Sequence, residues 1–229
     1  CKDVQYVVDY NMTYHSKESY SSAATAQMIL DYIGNNQNQT TIYNYGKTFN
    51  NPINTGELDP KGMDAVLGHY DPYDSSVSNQ NDIYDNLSGG NPYQGYNFGV
   101  ESFSDVLPYI RDIAHWMDYP VHQYRGGPLT NPDKVPPAVP LFGNYDNWVV
   151  VNGFVSDADP LPNETNPWYT PDFNVLGFYI TNPSNGSFVD HFISAEEANR
   201  TYFKRIVSSD AYNGKYVQVA EPPERNSSA

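Results

Sequence analysis

The apolar positions of this chain change period partway along it, from helical spacing to strand-like runs. In residues 19–34 (SYSSAATAQMILDYIG), Ala23, Ala24, Ala26, Met28, Ile29, Leu30 and Ile33 recur at helical spacing behind a run of small polar residues. Ser21 or Ser22 is placed to cap the first N–H groups, and Gly34 suits the left-handed residue past the helix end. Residues 55–70 predict a second helix, with Pro60 in its first turn and Met63, Val66, Leu67 and Tyr70 on one face. A third opens at Ser102 or Ser104 and runs through Val106, Ile110, Ile113 and Met117, with Pro108 tolerated in its first turn. Past residue 120 the pattern becomes β-like, and strands are predicted at 120–124, 138–142, 148–154, 175–181 and 216–220. Residues 4–8 and 97–100 read as further strands, while 41–45 fit either a short strand or a helical turn. Residues 194–206 predict a late helix, capped by Ser194 with Glu196 and Glu197 in its first turn.

Between these elements lie polar or Pro/Gly-rich connections at 71–94, 125–137 and 157–172, none of which reads as a domain linker. The glycine pairs 89–90 and 126–127 are turn signals, because no strand, lysine and helix surround them as in a phosphate loop. Helices first and strands later predict one α+β domain over residues 1–229, with N-terminal helices packed on a C-terminal antiparallel sheet. Residues 1–14 form its N-terminal strand and anchor segment, and residues 221–229 an extended tail.

Two stretches resemble a known family. Tyr20, Ser21, Ala23, Ala24, Gln27, Met28, Leu30 and Gly34 fall on the nucleophile-helix pattern of papain-like cysteine peptidases. The branch they resemble is the one related to the peptidase domains of bacteriocin-exporting transporters. Asn147-Trp148-Val149-Val150-Val151-Asn152-Gly153-Phe154 is similar to the strand that begins with that family's histidine. Asn182-Pro183, after residues 178–181, falls on its orienting position, and Thr55-Gly56 to Tyr70 is similar to its second helix. The resemblance implies a papain-like fold, yet the catalytic types are missing: Ser21 stands at the cysteine position and Asn147 at the histidine position. His15 or Ser16 falls where the oxyanion glutamine belongs, which makes His15 the nearest imidazole in sequence to Ser21. An alcohol needs a base more than a thiol does, and an asparagine amide does not titrate near neutral pH. The chain is therefore expected to be a pseudopeptidase with vestigial positions Ser21, Asn147 and Asn182. The alternatives are an active peptidase or acyl-transfer enzyme using Ser21 with another base, and a carbohydrate- or peptide-binding module.

Composition places the protein. Charged residues make up only 17% of the 229 and Tyr (21) far outnumbers Trp (3), so the surface is tyrosine- and amide-rich. A net charge of −15 without a basic stripe excludes nucleic acid as partner. The only cysteine is Cys1, which rules out an internal disulfide; a chain numbered from Cys rather than Met predicts a processed lipoprotein, lipidated at Cys1. Membrane contact is then expected only through that anchor. Asn-x-Ser/Thr sequons at Asn11, Asn38, Asn86, Asn163, Asn185, Asn199 and Asn226 predict an extracellular glycoprotein. Asp157 and Asp159 resemble the start of a calcium loop but lack its glycine and terminal glutamate, so no metal and no cofactor are expected. The partners expected are other copies of the chain, other cell-surface proteins, or a glycan or peptide ligand that tyrosines stack against, in a surface layer or filament.

Overall fold

Two apolar clusters on opposite faces of one sheet organise the fold. The computed structural model describes residues 5–71, 84–85, 98–121, 132–164 and 171–221. The strands are β1 (Tyr6–Asp9), β2 (Tyr84–Asp85), β3 (Gly99–Phe103), β4 (Ala138–Pro140), β5 (Trp148–Ser156), β6 (Val175–Thr181), β7 (His191–Ser194) and β8 (Tyr216–Ala220). They order as β2-β3-β8-β4-β5-β6-β7, with β1 paired to the far end of β5. Every pairing is antiparallel except β2 with β3. The architecture is thus mixed helix and antiparallel sheet, as the α+β expectation required.

Alternation along β5 explains the layers. Trp148 and Val150 enter the first cluster, under α1 (Ser21–Tyr32), α2 (Gln39–Gly46) and α3 (Pro60–Tyr70). Val149 and Val151 enter the second, under α4 (Val106–Met117), which contributes Tyr109, Ile110, Ile113, Ala114 and Met117. The early helices pack on one face as expected, while α4 crosses to the other. Trp148 is fully buried, and its indole N–H donates to Leu58 O at 2.8 Å, fixing the loop before α3 to the sheet.

Several expectations shift. Residues 41–45 belong to α2, because Asn38 caps that helix through Thr41 N at 2.8 Å. The late helix is only α5 (Ala195–Glu197), followed by a π-helical turn at Ala198–Tyr202. Phe203 leaves that turn in extended conformation to bury its ring in the second cluster. Residues 120–121 are not in a strand, and 122–124 lie outside the described residues. Cys1, Asn86, Asn226, both glycine pairs and nearly all of the tail also lie outside them. Gly34 does take the left-handed conformation, at φ 103°. The cap of α1 differs from both candidates: Tyr20 is the N-cap and makes no side-chain cap bond, while Ser21 and Ser22 are already helical.

Candidate functional site

The small residues that open α1 let it approach the start of β5, and Ser21, Ser22, Ala23 and Ala24 are all buried there. Trp148 N–H donates to Ser21 Oγ at 3.0 Å, and one turn later Thr25 Oγ1 donates to Trp148 O at 2.9 Å. Two helix hydroxyls thus satisfy both backbone groups of Trp148, as a neighbouring strand would. Ser21 Oγ also lies 3.0 Å from Asp146 O and 3.2 Å from Glu57 Oε1, so its single hydroxyl hydrogen has an acceptor on either side.

The first turn of α1 is closed by a side chain that no catalytic pattern pointed to. Glu57 Oε1 accepts from Ser21 N at 2.8 Å, and Oε2 accepts from Ser22 N at 3.0 Å and Ser22 Oγ at 2.5 Å. Ser22 Oγ in turn accepts from Leu58 N at 3.1 Å. Free N–H groups and the helix dipole make such a terminus an anion site, and here the anion is the protein's own carboxylate. A developing oxyanion beside Ser21 would have to displace it. The acid stands in Gly56-Glu57-Leu58-Asp59-Pro60, just ahead of the α3 N-cap Asp59, and that placement was the only signal for it in sequence.

The other candidate positions do not converge on Ser21. Asn147 is half-buried, and its Nδ2 donates to Asn144 Oδ1 at 3.3 Å within its own turn. Asn182 accepts from Ser184 N at 2.9 Å, closing a turn after β6. Among the described residues no hydrogen bond joins the side chains of Ser21, Asn147 and Asn182. His15 pairs with Asp31 at 2.8 Å, ten residues beyond Ser21 along α1, or about 15 Å of helical rise. His69 stacks on Tyr45 with centroids 4.0 Å apart, and burial lowers its pKa. Buried His115 contacts Pro160 O at 2.8 Å, and His191 stacks on Phe188; His122 lies outside the described residues.

Asp157 accepts from Asn174 N and Nδ2, bonds that hold its carboxyl below the usual range, and Asp159 accepts from Leu161 N. Both are turn-closing residues, and among the described residues no group of three or more His, Cys, Asp or Glu is arranged to hold a metal. Asn11, Asn38, Asn163, Asn185 and Asn199 are all exposed.

A groove of about 310 Å³ runs beside Glu57 and Asp146, with Asn144, Tyr145 and Ser209 along it and exposed Ile53 and Val207 at its edge. Tyr145 donates to Asp210 at 2.6 Å behind it, so its hydroxyl is held protonated by burial and by that carboxylate. On the other side of Glu57, Tyr20 and Tyr43 stack with centroids 3.8 Å apart, and Tyr43 donates to Gly56 O at 2.7 Å. Burial, with Tyr20 alongside, pushes the Tyr43 hydroxyl up to about 12. The arrangement can present a groove to a ligand; among the described residues the only base within hydrogen-bond reach of Ser21 is the Glu57 carboxylate, which already spans three other donors. No protein-family model, curated protein or solved structure matches this chain, so the resemblance to papain-like peptidases rests on the quoted residues alone.

Proposed function

We propose that this protein is a non-catalytic, papain-like glycoprotein of the cell exterior, serving as a structural or binding subunit of a surface assembly. The observation that carries this reading is the Glu57 carboxylate on Ser21 N and Ser22 N. It occupies the anion site that acyl transfer at Ser21 would need, while Ser21 itself is fully buried and bonded to Trp148 N. Asn147 supplies no titratable nitrogen, and its amide is turned to Asn144. The groove along Asp146 and Tyr145 then serves for contact with a peptide, a glycan or another surface protein. The exposed sequons and the acidic, tyrosine-rich composition support the exterior location.

The test is hydrolysis of a diverse peptide library by purified wild type, Ser21→Ala and Glu57→Ala proteins. The reading expects no turnover attributable to any of the three. Hydrolysis by wild type that disappears in Ser21→Ala, with the fold intact by circular dichroism, overturns it in favour of an enzyme.

A further inference from the structure

The chain carries three Asn-Gly pairs, Asn152-Gly153, Asn185-Gly186 and Asn213-Gly214. With no side chain on the glycine, its backbone nitrogen can close on the carboxamide carbon of the asparagine before it. The fold holds the three pairs differently. Asn152 is only 2% exposed in β5, and its amide is bonded to Thr181, Asp9 and Asp190. Asn213 is exposed, but its Oδ1 accepts from Ser208 N at 3.2 Å, which draws the carboxamide back along the chain. Gly214 N is also engaged, donating to Ile206 O at 2.7 Å. Asn185 is exposed in the turn between β6 and β7, and its Oδ1 accepts from Ser187 N at 3.0 Å, which folds the carboxamide forward over the Gly186 peptide. Phe188 N closes the same turn on Asn185 O at 2.9 Å, while no bond among the described residues engages Gly186 N.

We infer that Asn185 is a site of spontaneous modification, where Gly186 N closes on the Asn185 side chain to form a succinimide that water opens to aspartate or isoaspartate. The Gly186 N–H gives its proton to solvent base as the new bond to Asn185 Cγ forms. The Cγ–Nδ2 bond then breaks, and the amide nitrogen takes up a proton and leaves as ammonia. Water adds to either imide carbonyl, so the sequence needs no oxidant or reductant. The Ser187 N–H already sits on the oxygen that gains charge during the attack, as a donor aimed at a developing oxyanion. At Asn213 the same attack must first break the bonds to Ser208 N and Ile206 O, and at Asn152 it must open a buried strand.

Conversion changes the turn and the sequon together. Either product places a carboxylate at 185, and isoaspartate lengthens the main chain there by one methylene, between the bonds to Asn182 O and from Phe188 N. Asn185-Gly186-Ser187 is one of the exposed sequons, so a copy of the protein carries at this position either a glycan or the converted residue.

The test uses the full chain produced without N-glycosylation, held in mildly alkaline buffer and mapped by mass spectrometry of chymotryptic peptides. Cleavage at aromatic residues separates the three pairs, and Asn182, close to Asn185, precedes Pro183, whose nitrogen has no hydrogen to lose. In the folded protein Asn185 is expected to convert about tenfold or more faster than Asn213 and Asn152, which react only from opened states. In urea the three rates are expected to converge. Gly186→Ala, whose methyl would meet nothing nearer than Tyr14 Oη at 4.0 Å, keeps the turn but crowds the attacking nitrogen, and should lose most of the conversion at Asn185. Conversion at Asn185 no faster than at Asn213 in the folded protein, a preference for Asn185 that persists unchanged in urea, or undiminished conversion in Gly186→Ala overturns the inference.

Discussion

Replacing Glu57 by alanine removes the group that closes α1. Ser21 N, Ser22 N and Ser22 Oγ lose their shared acceptor together, at 2.8, 3.0 and 2.5 Å in the native fold. An anion at a helix N-terminus contributes about 0.3–1 kcal/mol when exposed and up to about 2 kcal/mol when partly buried. Each buried donor left unsatisfied costs about 1–3 kcal/mol more, but Glu57 is only half-buried, so water re-solvates part of the vacated site. The sum is a loss of about 2–4 kcal/mol. Glu57→Gln keeps one acceptor oxygen and turns an NH₂ toward the helix, for a loss of about 1–2 kcal/mol on the same grounds. Urea unfolding followed by tryptophan fluorescence measures this. With a slope of about 2 kcal/mol/M, the Glu57→Ala midpoint is expected roughly 1–2 M below wild type with the slope unchanged. A midpoint within about 0.2 M of wild type refutes the reasoning, since the carboxylate would then be a bystander at the terminus.

Three further expectations use other parts of the molecule. Ser21→Ala and Thr25→Val each strand one backbone group of Trp148 and should cost about 1–3 kcal/mol; because they hold the same residue, the double variant should depart from additivity by about 0.5 kcal/mol or more in a double-mutant cycle. Under α4, burial and Asp112 push the Glu101 carboxyl well up, so the folded protein binds that proton more tightly than the unfolded chain. Its stabilising contribution is therefore lost as pH rises through the folded value, and urea titrations should give a flatter stability–pH profile for Glu101→Gln than for wild type. Finally, intact mass before and after enzymatic deglycosylation of protein from its native source should reveal glycans at the exposed Asn11, Asn38, Asn163, Asn185 or Asn199, with an unchanged mass counting against the exterior assignment.

How far the sequence was readable depended on where the forces act. Helices α1, α3 and α4 were legible because their apolar residues recur at helical spacing, and β5, β6 and β8 because their apolar runs are unbroken or nearly so. β7 was missed, since of His191–Ser194 only Ile193 is buried and its neighbours carry no alternation strong enough to register. The late helix was over-extended because Ala198 and Phe203 are brought into the second cluster by a π turn, whose wider spacing a 3.6-residue pattern does not anticipate. At the site, Ser21 and the 147–154 stretch were singled out from sequence as separate positions, and the structure joins them through Trp148 N–H donating to Ser21 Oγ. Glu57 was not, because its role comes from a contact across 36 residues that no local pattern encodes.

The central claim is that Ser21 is a structural hydroxyl beneath a self-supplied anion. Its most direct test is intact-mass analysis after prolonged exposure to a serine-directed acylating or phosphonylating probe, with peptide mapping of residues around Ser21. The account predicts no adduct on Ser21, in wild type or in Glu57→Ala, because removing the carboxylate frees the helix terminus without creating a base. Stoichiometric, fold-dependent labelling of Ser21 in the wild-type protein contradicts it.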